Sequence, residues 1–382
     1  DMRKPNLKMA DFCLDNGEGS GVLLSGGMDS SLVTAMAVRG NARVKTFNVR
    51  FPGYGHYDET EHARLVARHF GTEHIELDAA EARPELLLSL ARQFDEPIVD
   101  SSMIPMSLLC QVVRQHCTVA LGGDGGDELF GGYTRYQRLA RFQRYAGWIP
   151  YIARRAIAAV ATVALPVGIK GRNWLQASGV DFACGVPLVA SYFDRPTRMR
   201  LLDGTAGMWP LVAEEIWRES IRPEGDLGDL VERATRADFR LYLAEDILVK
   251  VDRASMLHSL EVRAPFLDYR IIEFAFGKVP SWFKADTRRR KILLKNFAAR
   301  VLPAGFDIKR KQGFSIPLGS WLRSGPWHNF FREVLLDAKD GLFDRRYLER
   351  LLDGQARGRS NSERLFAIVL FELWNRIYKV QL

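Results

Sequence analysis

Two stretches of this chain set acids among glycines and hydroxyls at a spacing suited to phosphate chemistry. The first is Val22-Leu23-Leu24-Ser25-Gly26-Gly27-Met28-Asp29-Ser30-Ser31. Three apolar residues run into a Ser-Gly-Gly turn, and residues 32–38 have helical potential, so the stretch reads as strand, tight loop, helix. Glycine backbone and the unpaired N–H groups of a helix start cradle anions. Ser25, Gly26, Gly27, Ser30 and Ser31 are therefore candidate phosphate contacts, and Asp29 sits where a carboxylate holds magnesium beside bound phosphates. Met28 excludes a Walker loop, because no Gly-Lys-Ser/Thr follows the glycines. Taken alone, such a turn also fits an ordinary strand–helix connection.

The second stretch is Gly122-Gly123-Asp124-Gly125-Gly126-Asp127-Glu128-Leu129-Phe130-Gly131-Gly132-Tyr133. Six glycines surround three acids at the end of the apolar run 118–121. Asp127 and Glu128 are placed to hold magnesium, directly or through water. Asp124 lies upstream and can face another part of a cleft, where it would take a proton from an attacking amine. Together the two loops make a site for ATP and a second, nucleophilic substrate. A solvated turn or a calcium site uses the same residue types, although the spacing and terminal Glu of an EF-hand are absent.

These loops need a frame. Apolar strands are expected at 22–24, 43–49, 74–77 and 118–121. Helices are expected between them at 57–69 (closed by Gly71), 84–94 and 107–116. Strand and helix alternate, which predicts an α/β fold with a parallel sheet, and nucleotides bind beyond the carboxyl ends of such strands. From 135 the rhythm fades into a helix-rich part, with helices expected at 232–249, 252–260, 290–301, 346–352 and 362–378. The expected divisions are a lead-in over 1–20, an α/β core over 21–134, a helical and irregular insertion over 135–230, a helix-rich completion of the site over 231–330, and C-terminal helices over 331–382.

At 382 residues and 47% hydrophobic content the chain can bury more than one core, and 26% charged residues argue against wholesale disorder. The net charge of +8 suits ATP or pyrophosphate as well as nucleic acid, and no zinc-finger or ribonucleoprotein signature accompanies it. Cys13, Cys110, Cys117 and Cys184 form neither a disulfide scaffold nor a paired metal motif, which fits a reducing cytoplasm. Residues 156–169 are the most membrane-like, but the run is short, contains Pro166 and follows Arg154-Arg155, so a buried or surface-packed helix is expected rather than a spanning one. His56, His62, His69 and His74 fall close together without a closed ligand set and read as surface or packing residues.

The order of motifs resembles the synthetase domain of the asparagine synthetase family, within the wider N-type ATP pyrophosphatase group of adenine nucleotide alpha hydrolase-like folds. The matching pieces are the 25–31 turn, Tyr57-Asp58-Glu59, Asp95-Glu96-Pro97 with Asp100-Ser101-Ser102 and Pro105, the 122–133 loop, Glu261-Val262-Arg263-Ala264-Pro265-Phe266-Leu267-Asp268, and Arg310-Lys311-Gln312-Gly313-Phe314. They cover roughly residues 20–330. The resemblance implies adenylation of a carboxylate with release of pyrophosphate, then attack by ammonia or an amine, with ATP and Mg2+ required. It implies magnesium handling by Asp29, Asp127 and Glu128, amine-proton handling by Asp124, and neutralisation of phosphoryl charge by Lys311. Many members have glutamate where this chain has Asp124. It also marks Asp95, Glu96, Asp100, Ser101, Tyr133, Glu261 and Arg263 as substrate-region candidates.

Standard members begin with a glutaminase domain, and here the pyrophosphate turn already starts at Ser25, with Cys13 in the lead-in. Three explanations are open: free ammonia as the nitrogen source, a separate glutaminase partner, or a chain that was cut. Relatives of this kind make asparagine, close β-lactam rings, cyclise peptides or amidate sugar acids for surface polysaccharides. Asparagine synthesis from aspartate is the simplest expectation. A tRNA-modifying ATP pyrophosphatase and a non-catalytic scaffold are remote alternatives, and the oligomeric state is left open.

Overall fold

A computed structural model of the protein describes residues 20–40, 43–50, 59–79, 81–165, 169, 171–182, 185–187, 192–202, 228–310, 316–337 and 342–379. Its centre is a five-stranded sheet in the order β3-β2-β1-β4-β5, with every neighbouring pair parallel. The strands are β1 (Ser20–Leu23), β2 (Lys45–Arg50), β3 (Glu73–Asp78), β4 (Val119–Leu121) and β5 (Glu261–Arg263).

Crossover helices join the strands. α1 (Met28–Gly40) follows β1, α2 (Thr60–Phe70) follows β2, and α3 (Leu86–Gln93) and α4 (Met103–Val113) follow β3. Gly71 closes α2 in the left-handed conformation, as its position after the apolar run predicts. The expected helix at 57–69 starts at Thr60, and Tyr57 and Asp58 lie outside the described residues. α4 starts earlier than expected because Pro105 falls in its first turn, where a missing N–H breaks no helical bond.

Both faces of the sheet are covered, as a parallel sheet requires. One face packs Val22, Leu24 and Leu121 against Leu32 and Val33 of α1 and Ala63 and Val66 of α2. The other packs Phe47 and Ala120 against Met106, Cys110 and Val113 of α4.

Beyond β4 come a short α5 (Gly126–Phe130), α6 (Thr134–Ala146), α7 (Tyr151–Ala164), α8 (Arg172–Ala177) and α9 (Leu230–Ala237). The Asp229 carboxylate accepts from the Val231 and Glu232 backbone N–H groups at 2.9 Å and so sets the start of α9. The expected helical runs at 232–249 and 252–260 form one continuous rod. It passes from α9 through a π-helical segment, Asp238–Ile247, into α10 (Leu248–Met256). α11 (Ile292–Val301) packs under the first sheet face through Leu294 and Ala298. A separate core joins α12 (Pro326–Leu336), α13 (Arg345–Ala356) and α14 (Ser362–Tyr378) to α3, with Phe331, Leu352, Phe366 and Leu87 at its centre.

β5 is absent from the sequence expectation. Only Val262 of its three residues is apolar, so neither length nor periodicity marks it. Its place is fixed by pairing with β4, which the Gly122 N–H to Arg263 carbonyl bond at 2.8 Å extends. The sheet therefore draws its fifth strand, starting at Glu261, from 140 residues beyond Leu121 at the end of the fourth.

The central strand tolerates no side chain at Gly21. A Cβ there would lie 2.3 Å from Cε2 of Phe47, which is itself only 2% exposed. Gly21→Ala is expected to destabilise the protein by about 1–3 kcal/mol through overpacking. Adding Phe47→Leu should recover part of that loss, so urea denaturation of the double variant should fall short of the sum of the singles. Strict additivity would show that the ring is not the obstacle.

Candidate functional site

Strand order reverses at β1: β2 lies on one side and β4 on the other, so the turns leaving β1 and β4 emerge side by side. The 25–27 turn is organised by its own hydroxyls. Gly27 N–H donates to Ser25 Oγ at 3.2 Å, Ser25 Oγ meets Ser30 Oγ at 3.1 Å, and the Ser30 and Ser31 hydroxyls donate to the Gly27 carbonyl at 3.1 and 2.8 Å. Gly26 has φ +83°, and a Cβ there would press on the Glu59 carbonyl at 2.8 Å. Only glycine fits both restrictions.

The two acid-bearing turns meet on one cation. Lys291 Nζ lies 2.6 Å from Asp29 Oδ2 and 2.5 Å from Asp127 Oδ1. Close approach at this point depends on Gly132, where a Cβ would fall 1.7 Å from Asp127 Oδ1. Burial works against the Lys291 ammonium, but Asp127 and Asp29 outweigh it and raise its pKa above the ordinary lysine value. Lys291 also stands in the left-handed backbone region, φ 56°, as the residue before α11, with its N–H on the Gly131 carbonyl at 3.1 Å. A non-glycine residue held this way costs on the order of 1–3 kcal/mol and marks a site whose surroundings fix it. Sequence reasoning missed Lys291. The signal was the run Arg288-Arg289-Arg290-Lys291 at a helix start, where cations oppose the dipole.

Two recesses flank this cluster. The smaller is lined by Gly26, Gly27, Asp29 and Asp127 on one side and by Arg290, Lys291, Lys295 and Arg310 on the other. The larger, about 290 Å³, opens beyond the ends of β1, β2 and β4. Leu24, Phe47, Val49, Met106 and Leu109 give it apolar walls. Ser25, Gly27, Asp29, Ser30, Asp124, Asp127, Glu128, Tyr133 and Lys250 bring polar groups to the same space. Buried Asn48 fixes its floor, donating to the Leu24 carbonyl at 3.1 Å and accepting from Thr60 Oγ1 at 3.0 Å.

The acids in the larger cleft differ in character. Desolvation raises the Asp124 carboxyl above the usual carboxylate range, with Lys250 opposing and Asp127 adding to the shift. Glu128 is 1% exposed, and burial pushes its carboxyl up to about 7, against the hydrogen bond it accepts from the Tyr133 hydroxyl. The Arg135 guanidinium lies 4.5 Å over the Tyr133 ring and is paired with Asp238 at 2.9 Å, which fixes that tyrosine in the wall. Tyr136 is fully buried with Leu139 and Leu230.

The remaining candidates lie around this cleft. Asp100 accepts from Lys250 Nζ at 2.7 Å, which together with Ser102 overcomes burial and lowers its pKa. Ser101 precedes α4, half-buried. Asp95 and Glu96 are exposed, and Asp95 pairs with Arg253 of α10 at 3.2 Å. Glu261 and Arg263 pair with each other on β5 at 2.7 Å. None of these six lines either recess. Lys311 lies outside the described residues.

Histidine and cysteine take other parts. His62 accepts from Arg310 at 2.7 Å, and burial with Arg310 lowers its pKa; His74 bonds Thr46 Oγ1 at 2.9 Å. His56 lies outside the described residues. Burial pushes the Cys110 thiol up to about 12 and the Cys117 thiol up to about 11, so neither is a poised thiolate. Among the described residues, no three His, Cys, Asp or Glu side chains gather as a preformed metal cage. Asp29 and Asp127 carry hard oxygen donors of the kind magnesium takes, and in the structure both are engaged by the Lys291 ammonium.

Fold and site together define an α/β domain of the adenine nucleotide hydrolase-like class. The chain belongs to the asparagine synthase family, whose model matches residues 13–376. It is 31% identical over 363 residues to a protein of Mycobacterium tuberculosis H37Rv provisionally named a glutamine-hydrolysing asparagine synthetase, covering 94% of this chain and 54% of that one. Asparagine synthetase 1 of Bacillus subtilis is 28% identical over 360 residues, covering 94% of this chain and 56% of its own length. The amidase chry2 of Gibberella zeae is 24% identical, covering 83% and 52%. The chain thus spans about half the length of these curated relatives.

Glu128 supplies a direct check on the cleft. Its folded pKa lies above the unfolded value, so the ionised carboxylate costs the folded state stability. That cost is absent below pH about 4.5 and complete above pH about 7. Relative to Glu128→Gln, the wild type should lose about 3 kcal/mol across that window. Urea denaturation of both proteins at pH 4.5 and 8 measures it, and parallel curves would place the carboxyl in water.

Proposed function

We propose that the chain is an ATP-dependent amide ligase that adenylates a carboxylate, releases pyrophosphate and transfers ammonia to the acyl-adenylate. The observation that carries this reading is the convergence of Asp29 and Asp127, from turns after two adjacent parallel strands, on Lys291 beside the Ser25-Gly26-Gly27 turn. Family membership supports the same class of chemistry.

On this reading the triphosphate of ATP lies on the 25–31 turn. Ser25 and the turn backbone bind it, and Arg290, Lys291, Lys295 and Arg310 line the recess that receives the pyrophosphate end. Lys311, next in the chain after Arg310, is proposed to neutralise phosphoryl charge as adenylation proceeds. Asp29 and Asp127 are the proposed magnesium ligands, with Glu128 in the same acidic set. Magnesium bound there would supply charge stabilisation at the phosphoryl oxygens. The adenosine part fits the apolar cleft between Phe47, Val49, Met106 and Leu109. Residues 21–134 with β5 carry the nucleotide, and residues 231–330 complete the site.

The acceptor acid is proposed to bind on the side of the larger cleft bounded by Asp124, Tyr133 and Lys250, with Asp100 and Ser101 behind Lys250. Asp124 accepts the proton that the attacking amine loses; its raised pKa makes it a stronger base than an exposed aspartate. Asp95 acts through Arg253 on the helix that carries Lys250, and Glu261 and Arg263 act through the strand that holds Gly122. Glu96 stands beside Asp95 in the chain. Aspartate is the simplest acceptor, giving asparagine. Ammonia is the proposed nucleophile.

Incubation with ATP, magnesium, aspartate and ammonium should yield asparagine, AMP and pyrophosphate by mass spectrometry. Amide formation from another acid would change the substrate alone, whereas ADP and phosphate would refute adenylation. In rapid-quench experiments, Asp29→Ala and Asp127→Ala should block adenylate formation. Asp124→Ala should form the adenylate and slow amide formation by roughly 10²–10⁴-fold. Loss of the adenylate in Asp124→Ala, with the fold intact, would move Asp124 to the nucleotide side.

A further inference from the structure

α7 is built inside out. Its core-facing side carries Arg154, only 4% exposed, with Ala161. The Arg154 guanidinium donates to the Ile149, Ser178 and Val180 carbonyls at 3.1, 3.3 and 2.9 Å and lies 3.6 Å over the Phe182 ring. Next to it, Arg172 is buried too, donating to the Leu165 carbonyl at 2.8 Å and paired with Asp194. The opposite side of the helix is wholly apolar. Ile152, Ala156, Ala159, Val160 and Val163 follow one another at helical spacing, and Ile152, Val160 and Val163 are 82%, 65% and 88% exposed. A surface helix ordinarily turns such a stripe inward and its arginines outward.

Charge singles out what the stripe faces. From residue 134 to 180 the chain has eight Lys and Arg and not one Asp or Glu. Arg138, Arg141, Arg144 and Arg155 are exposed. Where the chain turns from α6 into α7, Tyr145, Trp148 and Tyr151 are exposed as well. Aliphatic stripe, aromatic residues at its head and arginines at its border are the composition of a helix lying in the plane of a membrane interface. At 14 residues the helix is about 21 Å long, too short to span, and no helix among the described residues is long and apolar enough to cross a bilayer.

We propose that α7 and the 145–151 connection form a docking surface for an anionic phospholipid bilayer. The outward stripe enters the headgroup boundary, Trp148 and Tyr151 settle at headgroup depth, and Arg144 and Arg155 pair with lipid phosphates. Binding is peripheral and reversible, because one such stripe with a few cations is a modest anchor. The surface is independent of the reaction proposed above, so its test reads binding.

The test uses the full chain with vesicles of phosphatidylcholine alone and of phosphatidylcholine mixed with phosphatidylglycerol, separated by flotation. The protein should float with the mixed vesicles, stay behind with the neutral ones, and be released by added salt. Arg144→Gln with Arg155→Gln should weaken vesicle binding roughly 30-fold at low salt. Val160→Glu with Val163→Glu should abolish it, while circular dichroism and ATP turnover stay at wild-type levels. Failure to float with mixed vesicles would overturn the proposal, as would equal binding by the Val160→Glu, Val163→Glu protein. Self-association in lipid-free buffer that the same double variant dissolves would also overturn it, and would make the stripe a contact between two copies of the chain.

Discussion

A single ammonium between two carboxylates sets the geometry of this protein's cleft. Asp29 and Asp127 come from turns that follow different strands, and like charges so close would drive the turns apart without a cation between them. Lys291 supplies that cation from a third element, at the cost of a left-handed backbone. The surrounding glycines follow from the same constraint, since Gly132 leaves room for Asp127 to reach the lysine. The cation position is thus built into the polypeptide.

The sheet explains why three remote segments can meet there. β1 and β4 are parallel neighbours in register, Gly21 opposite Ala120, so their carboxyl ends open at one level. β5 then ties residues 261–263 to the same edge, and the rod from α9 to α10 brings Lys250 over the cleft. Short backbone pairings therefore fix the separation of groups more than a hundred residues apart. The C-terminal core around Phe331 and Phe366 braces α3 and leaves the cleft itself to the sheet and the rod.

Much of this was legible in the sequence, for reasons that differ residue by residue. Val22–Leu24 and the 118–121 run announced buried strands by apolar content, and glycines at their ends announced turns. Asp124, Asp127 and Glu128 stood out because acids among glycines have no packing role. Lys291 was hidden because a lysine in a basic run reads as solvated until a fold supplies its two carboxylates. β5 was hidden because a Glu-Val-Arg triplet becomes a strand only through its partner. The contrast among the acids was also invisible. Asp100 is held ionised by Lys250 and Glu128 is pushed toward neutrality by burial, a difference of environment and not of residue type.

The π-helical segment 238–247 carries one wall of the larger cleft, with Ile247 at its end and Lys250 and Val251 just beyond. A π-helix differs from an α-helix by the accommodation of extra residues in its turns. A single residue added to an uninterrupted α-helix would turn everything after it by about 100°, and a π-turn takes up such a residue without that rotation. The segment is thus compatible with a rod that holds Lys250 on the cleft, while Ser25, Asp29 and Asp127 are held from the sheet side. A change of one residue in length within 238–247 can be taken up by the π-turns, with the cleft residues on either side of it kept in place.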